Sequence, residues 1–128
     1  MFFEPHHRIL RLKFGAVLTR EHLAATDRVL IGFLGGQNDT TGIRGLYDMR
    51  DVQVLAVPQR RFADRASRSA IGDMMRIVVA PPWAGDDFGQ SYRHAQTKWS
   101  HAQPIIVGTL VEAYALLGVV TPRFEPVL

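Results

Sequence analysis

Gly45-Leu46-Tyr47-Asp48-Met49-Arg50-Asp51-Val52-Gln53-Val54 opens as a buried strand and then places two acids where that strand should end. Ile43 to Met49 is short and apolar, the pattern of a strand covered on both faces. Asp48 and Asp51 could form a catalytic acid pair, frame a phosphorylation switch, or mark the exit of the chain from a sheet. Two acids three residues apart at a strand end face different directions. Aspartate also favours such positions because its carboxylate accepts nearby backbone N–H bonds. A catalytic acid would want a base or metal beside it, and the neighbouring sequence offers only Arg50. The expected role is therefore architectural: Asp48 ends the strand and Asp51 belongs to the turn that follows.

The same alternation of periods extends in both directions from this segment. Arg8 to Leu18 alternates around Leu10, Leu12 and Phe14, then resumes at Ala16–Leu18. That reads as one strand, or as two bent near Gly15. Thr19 can cap a helix whose apolar face is Leu23, Leu30, Ile31 and Leu34, ended by Gly35-Gly36. Pro58 suits the first turn of a second helix, with Phe62, Ala66 and Ala70 on one side. Met75 to Ala80 is a β-branched buried strand ended by Pro81-Pro82. Asp86 or Asp87 opens a third helix, in which Phe88, Tyr92, Ala95 and Trp99 make one stripe. Pro104 to Gly108 is a further strand. Thr109 with Glu112 forms a capping box for a last helix closed by Gly118. Strands alternating with helices predict an α/β domain, its sheet mainly parallel.

The totals agree with a single domain over 1–128, its core at about 8–119 and its tail at 120–128 extended. The 128 residues are 47% hydrophobic and 21% charged, a globular balance. The absence of cysteine excludes disulfides, thiolate metal sites and thiol nucleophiles, and fits a cytoplasmic setting. The first residues lack the pattern of a secretory signal, and no apolar run reaches the ~20 residues of a membrane span. Net charge is +3, and 13 of the 15 basic residues are arginine. That excess is too small and too dispersed to predict a nucleic-acid binder.

Several motifs together resemble the STAS domains of sulfate transporters and anti-sigma-factor antagonists, and more closely the small single-domain bacterial STAS-like proteins. They are Gly15 with Val17-Leu18-Thr19, then Leu46 to Val52, Arg76 to Pro81, Phe88-Gly89, Thr109 to Ala113 and Leu116 to Gly118. The likeness spans about residues 8–119. It implies a mainly parallel or mixed sheet of four to five strands with about four helices packed on it. It also implies a regulatory role. In the switch members a serine after the aspartate-bearing strand is phosphorylated by a partner kinase. Here no serine or threonine occurs between Gly42 and Ala66, so that switch is not expected.

Candidate binding residues are few. Arg61, Arg65 and Arg68 recur along one side of the second expected helix, and Arg60 joins them at its first turn. Arg60 and Arg61 could hold an anionic ligand or an acidic partner at the helix N-terminus. The plainer alternative is a solvated face paired with Asp51 and Asp64. Asp27 falls inside the apolar arc of the first helix. It is either a ligand-facing acid or an edge residue meeting an arginine such as Arg11 or Arg44. Phe88 and Tyr92 read as core, with an apolar or lipid pocket rimmed by Trp83 as the rival. The five histidines lack metal-ligand spacing, and no P-loop, dinucleotide fingerprint or nucleophile elbow occurs. The sequence predicts a non-enzymatic module without cofactor or metal, acting on a protein partner or as a homodimer. A binder of a small anionic or apolar ligand is the alternative.

Overall fold

The computed structural model describes residues 1–37, 39–55, 75–84 and 105–127. Six strands form one mixed sheet: β1 (Phe2–Glu4), β2 (Ile9–Lys13), β4 (Arg44–Asp48), β6 (Arg76–Val79), β7 (Ile105–Val107) and β8 (Glu125–Pro126). Two short strands, β3 (Val17–Leu18) and β5 (Val54–Leu55), form a separate parallel ladder. The helices among the described residues are α1 (Arg20–Gly35) and α2 (Leu110–Leu117).

The order across the large sheet is β7-β6-β4-β2-β1-β8. Its centre is parallel, from β2 through β4 and β6 to β7. β1 and β8 then extend it with antiparallel pairing. This corrects the expected architecture. The α/β class holds, but the sheet has six strands rather than four or five, and the described residues contain two helices rather than about four. The helices expected from Pro58 and from Asp86 or Asp87 lie outside the described residues.

The additional strands come from the ends. Phe2, Phe3 and Glu4 pair with Arg11, Leu10 and Ile9. The extended tail adds β8 on the outer edge of β1, where Pro126 lies opposite Phe2. A proline removes a backbone donor, which suits an edge strand. At the turn between β1 and β2, the buried Glu4 carboxylate accepts from the His7 backbone N–H and contacts its ring Nδ1 at 3.1 Å.

The sheet is buried on both faces, which explains why its parallel strands read as nearly unbroken apolar runs. On one face Leu10, Leu12, Tyr47 and Val78 pack with Leu23 and Leu30 of α1. On the other, Ile9, Leu46, Ile77, Val79 and Val107 pack with Ala113 and Leu117 of α2. α1 turns Phe33 and Leu34 toward the core, whereas Ile31 is 54% exposed, so its apolar face is rotated from the expected one.

Local chemistry sets the helix ends. Thr19 Oγ1 accepts from the His22 N–H at 3.2 Å, and His22 Nδ1 accepts from the Thr19 N–H at 3.3 Å. Histidine thus completes a reciprocal cap usually made by glutamate or glutamine. At α2, Thr109 Oγ1 accepts from the Glu112 N–H. Gly118 closes the helix with φ 72°, a left-handed conformation that disfavours any Cβ. Arg44 reaches across from β4 and donates to the Leu117 carbonyl at 2.9 Å and to the His7 carbonyl at 3.3 Å. A cation at the last turn of a helix complements its dipole.

Gly118→Ala should lower stability by ~1 kcal/mol through backbone strain alone, because open space surrounds the added methyl. Urea denaturation with an unchanged m-value would register that loss.

Candidate functional site at the carboxyl end of the sheet

In open α/β sheets the loops beyond the carboxyl ends of parallel strands are where ligands and partners are met. Here those loops follow β2, β4 and β6. They hold a charged cluster on the α2 side and an apolar rim around the β3–β5 ladder.

Asp48 is the centre of the charged cluster. It is the last residue of β4, 1% exposed, on the same face as Leu46 and therefore toward α2. Its Oδ1 accepts from the Arg50 backbone N–H at 3.2 Å and from Arg50 Nε at 2.8 Å. Its Oδ2 accepts from Arg50 Nη2 at 2.8 Å and from Arg11 Nη2 at 3.0 Å. The backbone bond two residues on closes an Asx turn, which bends the chain out of the sheet. Arg11 lies opposite Leu46 in the β2–β4 register, so it reaches Asp48 along the neighbouring diagonal.

Burial alone would raise the Asp48 pKa. The Arg50 side chain, the Arg50 N–H and Arg11 outweigh it and hold the carboxyl down at about 2. Asp51, by contrast, is exposed and pairs with Lys13 at 3.3 Å. The two acids therefore take different ion-pair partners, although the Asp51 charge also acts on Arg50. Asp48 is ionised, fully hydrogen-bonded and buried, a poor proton donor or acceptor near neutral pH.

The apolar rim is built by pairing. Val17 lies opposite Val54 in the ladder, and the two are 47% and 52% exposed. The Ala16 carbonyl accepts from the N–H groups of Gln53 and Val54, which ties the loop after β2 to the loop after β4. Trp83, in the loop after β6, donates its indole N–H to the Val52 carbonyl at 2.7 Å and stays 47% exposed. Its polar atom is thus satisfied while much of its ring faces solvent.

Asp27 sits on the other face of the sheet. It is partly buried on α1, near the Tyr47 hydroxyl. Burial pushes the Tyr47 phenol up to about 12. Arg76 opposes this with its charge and a hydrogen bond, while the Asp27 carboxylate adds to the rise. Tyr47 is therefore a neutral, buried hydroxyl. The arginines expected to meet Asp27 are engaged elsewhere, Arg11 at Asp48 and Arg44 at the Leu117 carbonyl. An open depression of about 190 Å³ lies between β2 and α1, lined by residues including Leu12, Phe14, Ala25 and Val29. It falls below the ~300 Å³ lower range of small-molecule pockets.

Of the residues singled out in the sequence, Trp83 belongs to the rim and Asp27 lies under α1, so the structure does not bring them together. Arg60, Arg61, Arg65, Phe88 and Tyr92 fall outside the described residues. Arg11 and Arg76 carry roles that the reading of their strands did not assign. The available signal was a charge set within a strand otherwise apolar on both faces. No family model, curated protein or solved structure matches the chain.

Replacing Asp48 by asparagine should cost ~3 kcal/mol, because the partly buried Arg11 and the more exposed Arg50 lose the buried counter-charge they share. The depressed pKa fixes the pH window. Its stabilisation is complete above the ordinary carboxyl value and is lost as pH falls through about 2. Urea titrations should show the gap between wild type and D48N narrowing by ~2 kcal/mol from pH 5 to pH 2.

Proposed function

We propose that the protein is a non-enzymatic, STAS-like regulatory module that acts through protein contact at the carboxyl-end rim. The single observation carrying this reading is the rim itself, where three loops set Val17, Val54 and Trp83 half-exposed around one short ladder. Exposed aromatic and β-branched side chains gathered in one place mark contact surfaces more often than solvated ones. The anchoring of Trp83 adds to this, because a tryptophan already fixed by a hydrogen bond loses little freedom on being covered.

The occupation of Asp48 supports the non-enzymatic half of the proposal. Its lone pairs are committed to arginine donors, and its depressed pKa suits permanent ionisation rather than proton transfer. The absence of serine and threonine between Gly42 and Ala66 argues against control by phosphorylation of such a residue at the turn after β4. Occupation of the rim is then governed by concentration and by the chemistry of the partner surface.

The occupant proposed for the rim is a second copy of the chain. Sedimentation equilibrium over a range of ~1–200 μM should show a reversible dimer, and Val54→Asp should shift it to monomer by at least tenfold in dissociation constant. The substituted side chain is already half-exposed, so its thermal midpoint should stay near that of wild type. A chain that stays monomeric throughout, or a dimer indifferent to V54D, would remove the rim from this role.

A further inference from the structure

The charged cluster on the α2 side is separate from the apolar rim, and its charges do not balance. Arg11 and Arg50 share the single carboxylate of Asp48, while Lys13 pairs with Asp51. Among the described residues, three cations therefore meet two anions at the carboxyl ends of β2 and β4. Asp48 is saturated, so it cannot absorb the remaining guanidinium donors. Among the described residues Arg11 makes one hydrogen bond, through Nη2, and its buried Nε meets no acceptor. Arg50 spends its backbone N–H, Nε and Nη2 on Asp48, and its Nη1 meets no acceptor among the described residues.

Access is graded from outside inward. The Arg50 side chain is 39% exposed, that of Arg11 is 18% exposed and that of Asp48 is 1% exposed. Phe124 covers one face of the Arg11 guanidinium at 5.5 Å, leaving approach along its edge. The edge of a guanidinium carries its N–H donors, and these match the oxygens of a tetrahedral oxyanion. Arg11 and Arg50 both donate to Asp48 Oδ2, at 3.0 Å and 2.8 Å, so a group of phosphate size could span the two. The Asp51 carboxylate and Tyr114 of α2 lie close enough to Arg50 to act on its charge, less strongly than Asp48 does.

We propose that Arg50 and Arg11, preorganised around Asp48, form a binding site for a small phosphate-class oxyanion. Asp48 holds the two forks in place, and the excess positive charge is met by the incoming group. The site lies on the α2 side of β4 and stands whether or not the rim binds a second copy.

The test is an NMR titration of the arginine side-chain Nε–H resonances of the full chain with inorganic phosphate. Sodium chloride at matched ionic strength is the control. The expected result is saturable shifts at Arg50 and Arg11, with a midpoint of about 1 mM and no saturation in chloride. R50Q should weaken the phosphate midpoint at Arg11 at least tenfold. Because Arg50 also steadies Asp48, the wild-type titration decides the matter if R50Q does not fold. Shifts that follow ionic strength alike in both salts, or saturation confined to other arginines, would overturn the proposal.

Discussion

A carboxylate moved out of water without compensation would take up a proton or prevent the chain from closing around it. Asp48 avoids both outcomes because four hydrogen bonds converge on it. That constraint organises much of the sheet's carboxyl end. The Asx turn decides where β4 stops. The diagonal bond from Arg11 fixes how β2 and β4 lie against each other, and a slip by one residue would carry Asp48 to the α1 face, away from Arg11. The fork from Arg50 holds the start of the loop that goes on to form β5.

Arginine has a second structural use here, in holding α2 and the tail against their face of the sheet. α2 has only eight residues and buries Ala113 and Leu117. Such a helix is marginal by itself. Its C-terminal carbonyl is held by Arg44 from β4, and the tail beyond it is held through Phe124 on Arg11. The chain then reaches the far edge of the sheet and pairs with β1 as β8. The seating of α2 and of the tail thus draws on two arginines whose strands lie side by side.

The parts of this fold that were legible in the sequence are those with local causes. Buried parallel strands show themselves as apolar runs, which is why β2, β4, β6 and β7 could be placed. The N-caps of α1 and α2 could be read because a threonine acts within one turn, and the end of α2 because Gly118 takes a left-handed conformation. What escaped reading depends on distant pairing. Phe2–Glu4 and Glu125–Pro126 are too short to carry a strand period, and become strands only because an edge of the sheet is there to receive them. Asp48 meets Arg11 from 37 positions away. Arg76 sits in a segment that reads as purely apolar, and its partner Tyr47 lies on the adjacent strand. The rim was half legible: Trp83 stood out as a surface aromatic, but the pairing of Val17 with Val54 is a tertiary fact.

If Asp48 and Arg11 hold β2 and β4 in register, their energies must be coupled. A double-mutant cycle in urea, with D48N, Arg11→Met and the combined variant, measures that coupling directly. The interaction energy should be ~2 kcal/mol or more, with the double variant more stable than the two single losses would sum to. Single losses that simply add would contradict it and leave Asp48 as a local turn residue with no hold on the neighbouring strand.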